Sequence, residues 1–143
     1  MPARIPWFTE TLDIPSDEAT RSALDAQYGR DADLANGWSS NWHVIAQDGG
    51  DPIFVDGANG KVCTAVHGVG SWTPITLAGD LRTFKETLQV WIEVIGRHGN
   101  TALNDDDMPD LAFREDLLAT LRERGLDPTP MDAAWNQLMS ITP

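Results

Sequence analysis

The sequence predicts a single α+β domain whose central sheet, rich in antiparallel strands, is flanked by helices and followed by a C-terminal helical hairpin. Short apolar runs separated by glycine and asparagine turns occupy residues 42–77, as in an antiparallel meander. Longer segments with an apolar period of about 3.6 residues lie before and after these runs. A chain of 143 residues has the length of one domain and can bury a core without disulfides or metal ions.

The apolar runs predict four strands. They are expected at residues 42–46, 52–56, 61–67 and 74–77. The turn at residues 57–60 contains glycines and an asparagine, which tolerate the positive φ angles of a tight hairpin. The polar segment at residues 30–40 is interpreted as a loop.

Four helices are predicted around these strands. They begin near residues 17, 80, 110 and 129. Ser16 is the expected N-cap of the first helix, Gly29 its expected end, and Asp80 the expected N-cap of the second. The second helix carries six large apolar residues on one face, so it should dock on the sheet. These residues are Leu81, Phe84, Leu88, Trp91, Ile92 and Ile95.

The chain is strongly acidic, with 22 Asp and Glu residues against 10 Lys and Arg residues and a formal net charge of −12. Such a surface repels a phosphate backbone, so no direct nucleic-acid binding is expected. No apolar stretch reaches the roughly 20 residues of a membrane span, and the first residues lack the apolar segment of a secretory signal. A single cysteine, Cys63, cannot form an internal disulfide, which fits a reducing compartment. We therefore expect a cytoplasmic protein.

No motif in the sequence indicates catalysis, so no catalytic residue, metal site or cofactor is predicted. Cys63 and His67 lie four residues apart on a predicted strand, about 13 Å along it, which is too far for direct proton transfer. Ser71 could approach His67 across the glycine turn, but no nucleophile elbow surrounds it. The carboxylates at residues 48–56 and 105–107 lack the ligand spacing of a calcium loop.

Three motifs occur in order along the middle of the chain. The first is Trp42-x-Val44-Ile45 followed by Asp48-Gly49-Gly50-Asp51-Pro52. The second is Thr64-Ala65-x-His67-Gly68-x-Gly70-Ser71-Trp72. The third is Ile75-x-Leu77-Ala78, which leads into Leu81 and Phe84. In their order and spacing these motifs resemble the SUKH superfamily over about residues 15–95.

The SUKH superfamily includes fungal glucan-synthesis and killer-toxin-resistance regulators and many bacterial immunity proteins. The resemblance implies an α+β fold and a non-enzymatic role, commonly the binding and neutralisation of a toxin domain. It also implies that the matching positions determine the fold rather than form an active site. These positions are Trp42, Gly50, Asp56, His67 and Phe84. We expect residues 1–100 to form the SUKH-like core, and residues 101–143, outside the resemblance, to form an acidic loop and a helical hairpin packed on the same domain.

Three functional hypotheses follow. The leading hypothesis is an immunity protein that binds and neutralises a cognate toxin domain. The second is a housekeeping regulatory or interaction protein of the same fold without a toxin partner. The third is an enzyme or small-ligand protein that uses Asp51, Asp56, His67 and Trp72, and it predicts a concave pocket lined by those residues.

A basic toxin domain is the partner that suits the charge of the chain. Trp38 and Trp72 fall in predicted loops, where a large aromatic side chain either closes the core or anchors a partner. Contact residues are expected in the glycine-rich loops and the acidic loop. They are Asp48, Asp51, Ser71, Trp72, Asp105, Asp106 and Asp107. If the loop at residues 105–107 faces the partner, neutralising its three aspartates together should slow association and flatten its salt dependence. Either a monomer or a homodimer is compatible with the sequence.

Overall fold

A six-stranded antiparallel sheet organises the chain in a computed structural model that describes residues 4–7, 11–98 and 111–141. The strands pair in chain order, each antiparallel to the next. They are β1 (Arg4–Pro6), β2 (Thr11–Asp13), β3 (Trp42–Asp48), β4 (Asp51–Asp56), β5 (Val62–Thr64) and β6 (Ile75–Ala78). The predicted α+β class with an antiparallel sheet is therefore confirmed.

Five helices accompany the sheet in the described residues. They are α1 (Glu18–Tyr28), α2 (Asp31–Ala35), α3 (Leu81–His98), α4 (Leu111–Glu123) and α5 (Thr129–Ile141). The N-cap of α1 is Asp17 rather than Ser16, because the Asp17 carboxylate accepts a 2.8 Å hydrogen bond from the backbone N–H of Thr20. Asp80 caps α3 as predicted, accepting from the backbone N–H of Thr83 at 2.7 Å.

Strands β1 and β2 and helix α2 were not predicted from the sequence. Residues 30–40 were interpreted as a loop, whereas residues 31–35 form α2. A three-residue strand or five-residue helix contains too few positions for a periodic pattern, so long-range pairing decides whether it forms. Strand β2 illustrates this, because it forms by pairing with the far end of β3, where Leu12 faces Asp48.

Helices α3, α4 and α5 lie on one face of the sheet, and together with that face they form the larger core. The apolar stripe of α3 is buried there as predicted, with Phe84, Leu88 and Trp91 inside and Ile92 and Ile95 half-buried. Further core residues come from the sheet and the other two helices. They include Trp7, Leu12, Ile53, Val62, Leu77, Phe113, Leu117, Leu121 and Trp135.

Ion pairs join the helices of this larger layer. Arg114 of α4 reaches Asp132 of α5 at 2.6 Å, and its guanidinium lies 5.3 Å from the ring centroid of Trp135. Arg124 pairs with Glu93. Asp116 is within 3.5 Å of Arg97 and 2.9 Å of His98. Three carboxylates of this layer, those of Glu93, Asp116 and Asp132, therefore have basic partners close by.

Helix α1 packs on the opposite face of the sheet, over a smaller core rich in aromatic rings. The aromatic residues of this core are Tyr28, Trp38, Trp42 and Phe54, with Trp72 packed against them. Asp25 and Arg21 attach α1 to β3 beside a β-bulge, where the register of β3 against β4 shifts between Val44 and Ala46. The Asp25 carboxylate accepts from the backbone N–H of Val44 at 2.7 Å, and the Arg21 guanidinium lies 3.4 Å from its carbonyl oxygen. Backbone groups near the bulge thus gain side-chain partners.

Candidate functional site

A cleft of about 340 Å³ opens beside the smaller core, between helices α1 and α2 and the turns that follow β3 and β5. Its main lining residues are Tyr28, Arg30, Asp33, Gly50, His67 and Trp72. A second cleft of about 190 Å³ adjoins the first, because both share Asp33 and Trp72, and it extends to Gly68, Gly70 and Ser71. These two clefts bring together parts of the chain that are far apart in sequence.

Helix α2 holds Trp72 in place between the two clefts. The indole Nε1 donates to Asp33 Oδ1 at 3.0 Å, and the Trp72 backbone N–H donates to the carbonyl oxygen of Asn36 at 2.7 Å. The other Asp33 oxygen accepts from the backbone N–H of Arg30 at 3.3 Å. Trp72 also packs edge-on against Tyr28 and Trp38. The position of Trp72 therefore depends on a helix that the sequence did not reveal.

His67 lines the other wall of the cleft and is held there by Asp51. His67 Nδ1 lies 2.6 Å from Asp51 Oδ1, and the backbone N–H of His67 donates to the same oxygen at 2.9 Å. Because an ionised carboxylate can only accept, the ring nitrogen is the donor in this contact. The imidazole packs directly on Gly50, where a Cβ atom would lie 2.7 Å from the ring. The loop after β5 is thereby attached to the turn between β3 and β4.

Comparison with known proteins then identifies the family. The family model for SUKH-4 immunity proteins matches residues 2–140. The chain belongs to the SUKH-4 immunity protein family. Because SUKH-4 is part of the SUKH superfamily, the resemblance inferred from the three motifs is confirmed. No curated protein and no solved structure gives a significant match to this SUKH-4 member.

The family match extends beyond the resemblance found in the motifs. It continues past residue 95 to residue 140 and so includes α4 and α5. These helices bury Phe113 and Trp135 against Trp91 of α3. The C-terminal helices of this SUKH-4 member therefore belong to the sequence that the family shares and contribute to the same core.

The structure places the predicted contact residues in different surroundings. Asp51 bonds to His67, which lines the larger cleft. Trp72 lines both clefts, and Ser71 lines the second cleft. Asp48 ends β3 and is only 6% exposed, so it offers little surface to a partner. The predicted site residues Asp105, Asp106 and Asp107 lie outside the described residues.

The predicted fold-determining positions are also dispersed. Trp42 is buried in the smaller core and Phe84 in the larger one, on opposite faces of the sheet. Gly50 and His67 pack against each other at the cleft. Asp56 lies at the far end of β4 from Asp51, about 16 Å along the strand, and accepts from the backbone N–H of Ala58 in the hairpin turn. Two of the four residues of the enzyme or small-ligand hypothesis, His67 and Trp72, therefore line the cleft. Asp51 is bonded to His67, and Asp56 lies away from the cleft.

The chemistry available at the cleft is limited. In the described part of the chain, no hydrogen bond joins Ser71 to His67, and no group of three His, Cys, Asp or Glu residues is arranged to hold a metal ion. Cys63 is buried in the smaller core, where desolvation raises the pKa of its thiol and disfavours the thiolate.

No helix within residues 4–7, 11–98 and 111–141 has the length and apolar character needed to cross a membrane.

Tyr28 provides a pH-dependent reporter of the cleft. Its hydroxyl lies 3.0 Å from Gln47 Oε1 and 3.1 Å from the carbonyl oxygen of Gly50. Burial raises the pKa of Tyr28 to about 12, and the nearby Asp51 and Asp33 carboxylates act in the same direction. The protonated phenol therefore stabilises the fold below pH 10, and this contribution is lost as the pH rises from 10.0 to about 12.

We expect the only tyrosine of the chain to ionise near pH 12 in the folded protein and near pH 10 in denaturant. Tyrosinate absorbance measures this directly, since no other tyrosine contributes. A Tyr28→Phe variant should lose part of the alkaline dependence of the free energy of unfolding. Ionisation near pH 10 in the native protein would contradict the buried, hydrogen-bonded position.

The contact between Gly50 and His67 gives a second prediction. Gly50→Ala should displace the imidazole, break its bond to Asp51, and lower the free energy of unfolding by about 1–2 kcal/mol. In a His67→Ala background the same substitution should cost less, because the ring that obstructs the new methyl group is gone. Chemical denaturation of the four proteins in this cycle measures the difference. Equal costs in both backgrounds would show that the ring does not confine position 50.

Proposed function

We propose that this SUKH-4 member is a cytoplasmic immunity protein that binds a cognate toxin domain and neutralises it without chemistry of its own. The observation that carries the proposal is the family match over residues 2–140. A net charge of −12 supports a basic partner, because opposite charge accelerates association and favours the correct partner. The partner is thus a protein, and the mode of action is occlusion of the toxin.

The distribution of charge supports a binding role for the cleft side of the molecule. Residues 13–56, which form α1, α2 and strands β3 and β4, contain nine acidic and two basic residues. Residues 81–98 and 111–141, which form α3, α4 and α5, contain seven acidic and six basic residues. Most of the excess negative charge in the described residues is therefore carried by the segment that contains α1, α2, β3 and β4, and the part of it on α1 and α2 can attract a basic surface.

A small-molecule role is the second candidate, because His67 and Asp51 form a close acid–base pair at a concave surface. The same pair has a structural role, since it attaches the loop after β5 to the turn before β4. Native mass spectrometry of protein purified from its own cells separates the two roles. A stoichiometric small molecule that His67→Ala removes would favour ligand binding over immunity.

Co-expression with the product of the adjacent gene tests the immunity proposal. We expect that product alone to arrest bacterial growth, and this chain to restore growth and to elute with it as a stable complex. A harmless neighbour, or toxicity that persists when the chain is present, would contradict the proposal. Recovery of a stable complex with an endogenous regulatory protein instead would favour the housekeeping alternative.

A further inference from the structure

Exposed apolar side chains mark one region of the surface. Three large hydrophobic side chains are exposed in the described residues: Leu34 at 44%, Val69 at 54% and Leu111 at 65%. Two of them are sequence neighbours of residues that line the clefts. Leu34 follows Asp33 in α2, and Val69 lies between Gly68 and Gly70, which line the second cleft. Apolar side chains concentrated beside a recess are typical of the centre of a protein interface.

Trp72 lines both clefts and is well suited to anchor a partner. Its side chain is half-buried, and its Nε1 hydrogen bond to Asp33 and its ring contacts hold it in one orientation. A rigid aromatic side chain loses little conformational entropy when a partner binds, which is why tryptophan is enriched among the residues that dominate binding energy. We name the surface formed by Leu34, Val69 and Trp72 the α2 patch.

Acidic groups without basic partners surround the α2 patch. Asp31 makes no ion pair among the described residues, and Asp33 accepts only from the Trp72 indole and the Arg30 backbone. The partner of Asp51 is His67, which is charged only when protonated. Arg30 is the one arginine or lysine lining the larger cleft, so the surroundings of the patch are net negative.

The opposite side of the molecule differs in this respect. The third exposed apolar residue, Leu111, lies on α4, in the layer where Arg97, Arg114 and Arg124 neutralise nearby carboxylates. Residues 81–98 and 111–141, which form α3, α4 and α5, carry nearly balanced charge, with seven acidic and six basic residues, whereas α2, which carries Leu34, contains Asp31 and Asp33 and no basic residue. Charge complementarity therefore favours the α2 patch for a basic partner.

We propose that the α2 patch is the docking surface for a basic toxin domain, and that an arginine or lysine side chain of the toxin enters the larger cleft against Trp72. This inference rests on the proposed immunity function. At about 340 Å³ the cleft is at the small end of ligand-binding pockets, which suits one long side chain better than a larger molecule. The alkyl stem of that side chain packs on the indole while its cationic head meets the Asp33 carboxylate, which lines the cleft.

Arginine substitutions at exposed positions test this surface with little risk to folding. Leu34→Arg and Val69→Arg place a positive charge within the α2 patch, and Leu111→Arg places the same charge on α4 as the matched control. We expect each patch variant to weaken binding to the adjacent-gene toxin by about 30-fold or more and to lose protection, because 2 kcal/mol is a typical hot-spot effect. Leu111→Arg should bind as the unmodified chain does. Melting temperatures verify that all three variants fold.

The outcomes separate this inference from the proposed function. If the unmodified chain neutralises the toxin and both patch variants bind it equally well, the α2 patch is not the interface and the immunity function stands. A loss of binding in Leu111→Arg alone would place the interface on the helical side and overturn the inference. If the unmodified chain does not bind the toxin at all, the proposed function fails and the inference fails with it. Asp31→Asn gives a further measurement, since it should reduce the salt dependence of the association rate.

Discussion

Replacing Trp91 by alanine is expected to lower the free energy of unfolding by about 3–5 kcal/mol, the cost of removing a buried aromatic side chain. Trp91 is 0% exposed in α3, and among the described residues its ring meets aromatic rings from three other parts of the chain. The ring centroid lies 4.4 Å from that of Trp7, 5.0 Å from Phe113 and 6.1 Å from Trp135. Its removal opens a cavity where the N-terminal segment and three helices meet.

Urea denaturation of the variant measures this loss. Leu111→Ala is the control, because Leu111 is 65% exposed and its truncation should change stability by no more than about 0.5 kcal/mol. Trp91→Phe keeps an aromatic ring and should cost less than Trp91→Ala, so the experiment remains informative if the alanine variant does not fold. A Trp91→Ala cost as small as that of Leu111→Ala would show that α4 and α5 do not pack on α3 as described.

Gly37→Ala is expected to have the second-largest effect, and it should affect both stability and binding. Gly37 has a φ angle of +104°, which favours glycine, and a Cβ atom there would lie 2.9 Å from the carbonyl oxygen of Trp72. Backbone strain alone costs about 1–3 kcal/mol, and the clash with a backbone atom adds to it. The loop that carries Trp72 must therefore shift away from α2.

Gly60→Ala is the matched control for this prediction. Gly60 also has a positive φ angle, +78°, but no atom lies within 4 Å of its Cβ position. Both variants share the backbone strain, and only Gly37→Ala displaces Trp72. We expect Gly37→Ala to lose more stability by denaturation and to bind the toxin more weakly, whereas Gly60→Ala loses stability only. Equal losses of stability would show that the contact between residue 37 and Trp72 is not tight.

The α2 patch gives the acidity of the chain a more specific interpretation. Contacts by the consecutive aspartates at 105–107 stay a prediction from the sequence, because these residues lie outside the described part of the chain. In the described residues, α2 carries Asp31 and Asp33 without an ion pair, and Asp33 bonds to Trp72. Separate neutralisation of the two regions would show how each contributes to association with a basic partner.

Prediction from the sequence was most accurate where neighbouring residues determine the structure. The stripe of α3 and its Asp80 cap were predicted because periodicity and capping are local properties. The β3–β4 and β4–β5 hairpins followed from apolar runs and glycine turns. Strand β5 is shorter than predicted, since His67 leaves the sheet and donates to Asp51.

The sequence by itself determined the α+β class, the amphipathic face of α3 and the family, because these depend on the order and spacing of residues along the chain. Only the tertiary structure decided where the cleft lies. Tyr28, Asp33 and Trp72 meet there because Asp33 bonds to an indole 39 positions away and the Tyr28 hydroxyl lies against the carbonyl of Gly50. Such contacts connect segments that are far apart in sequence. The periodic patterns of helices and strands are local and do not indicate which distant segments meet, so only the packing of the folded chain brings them together.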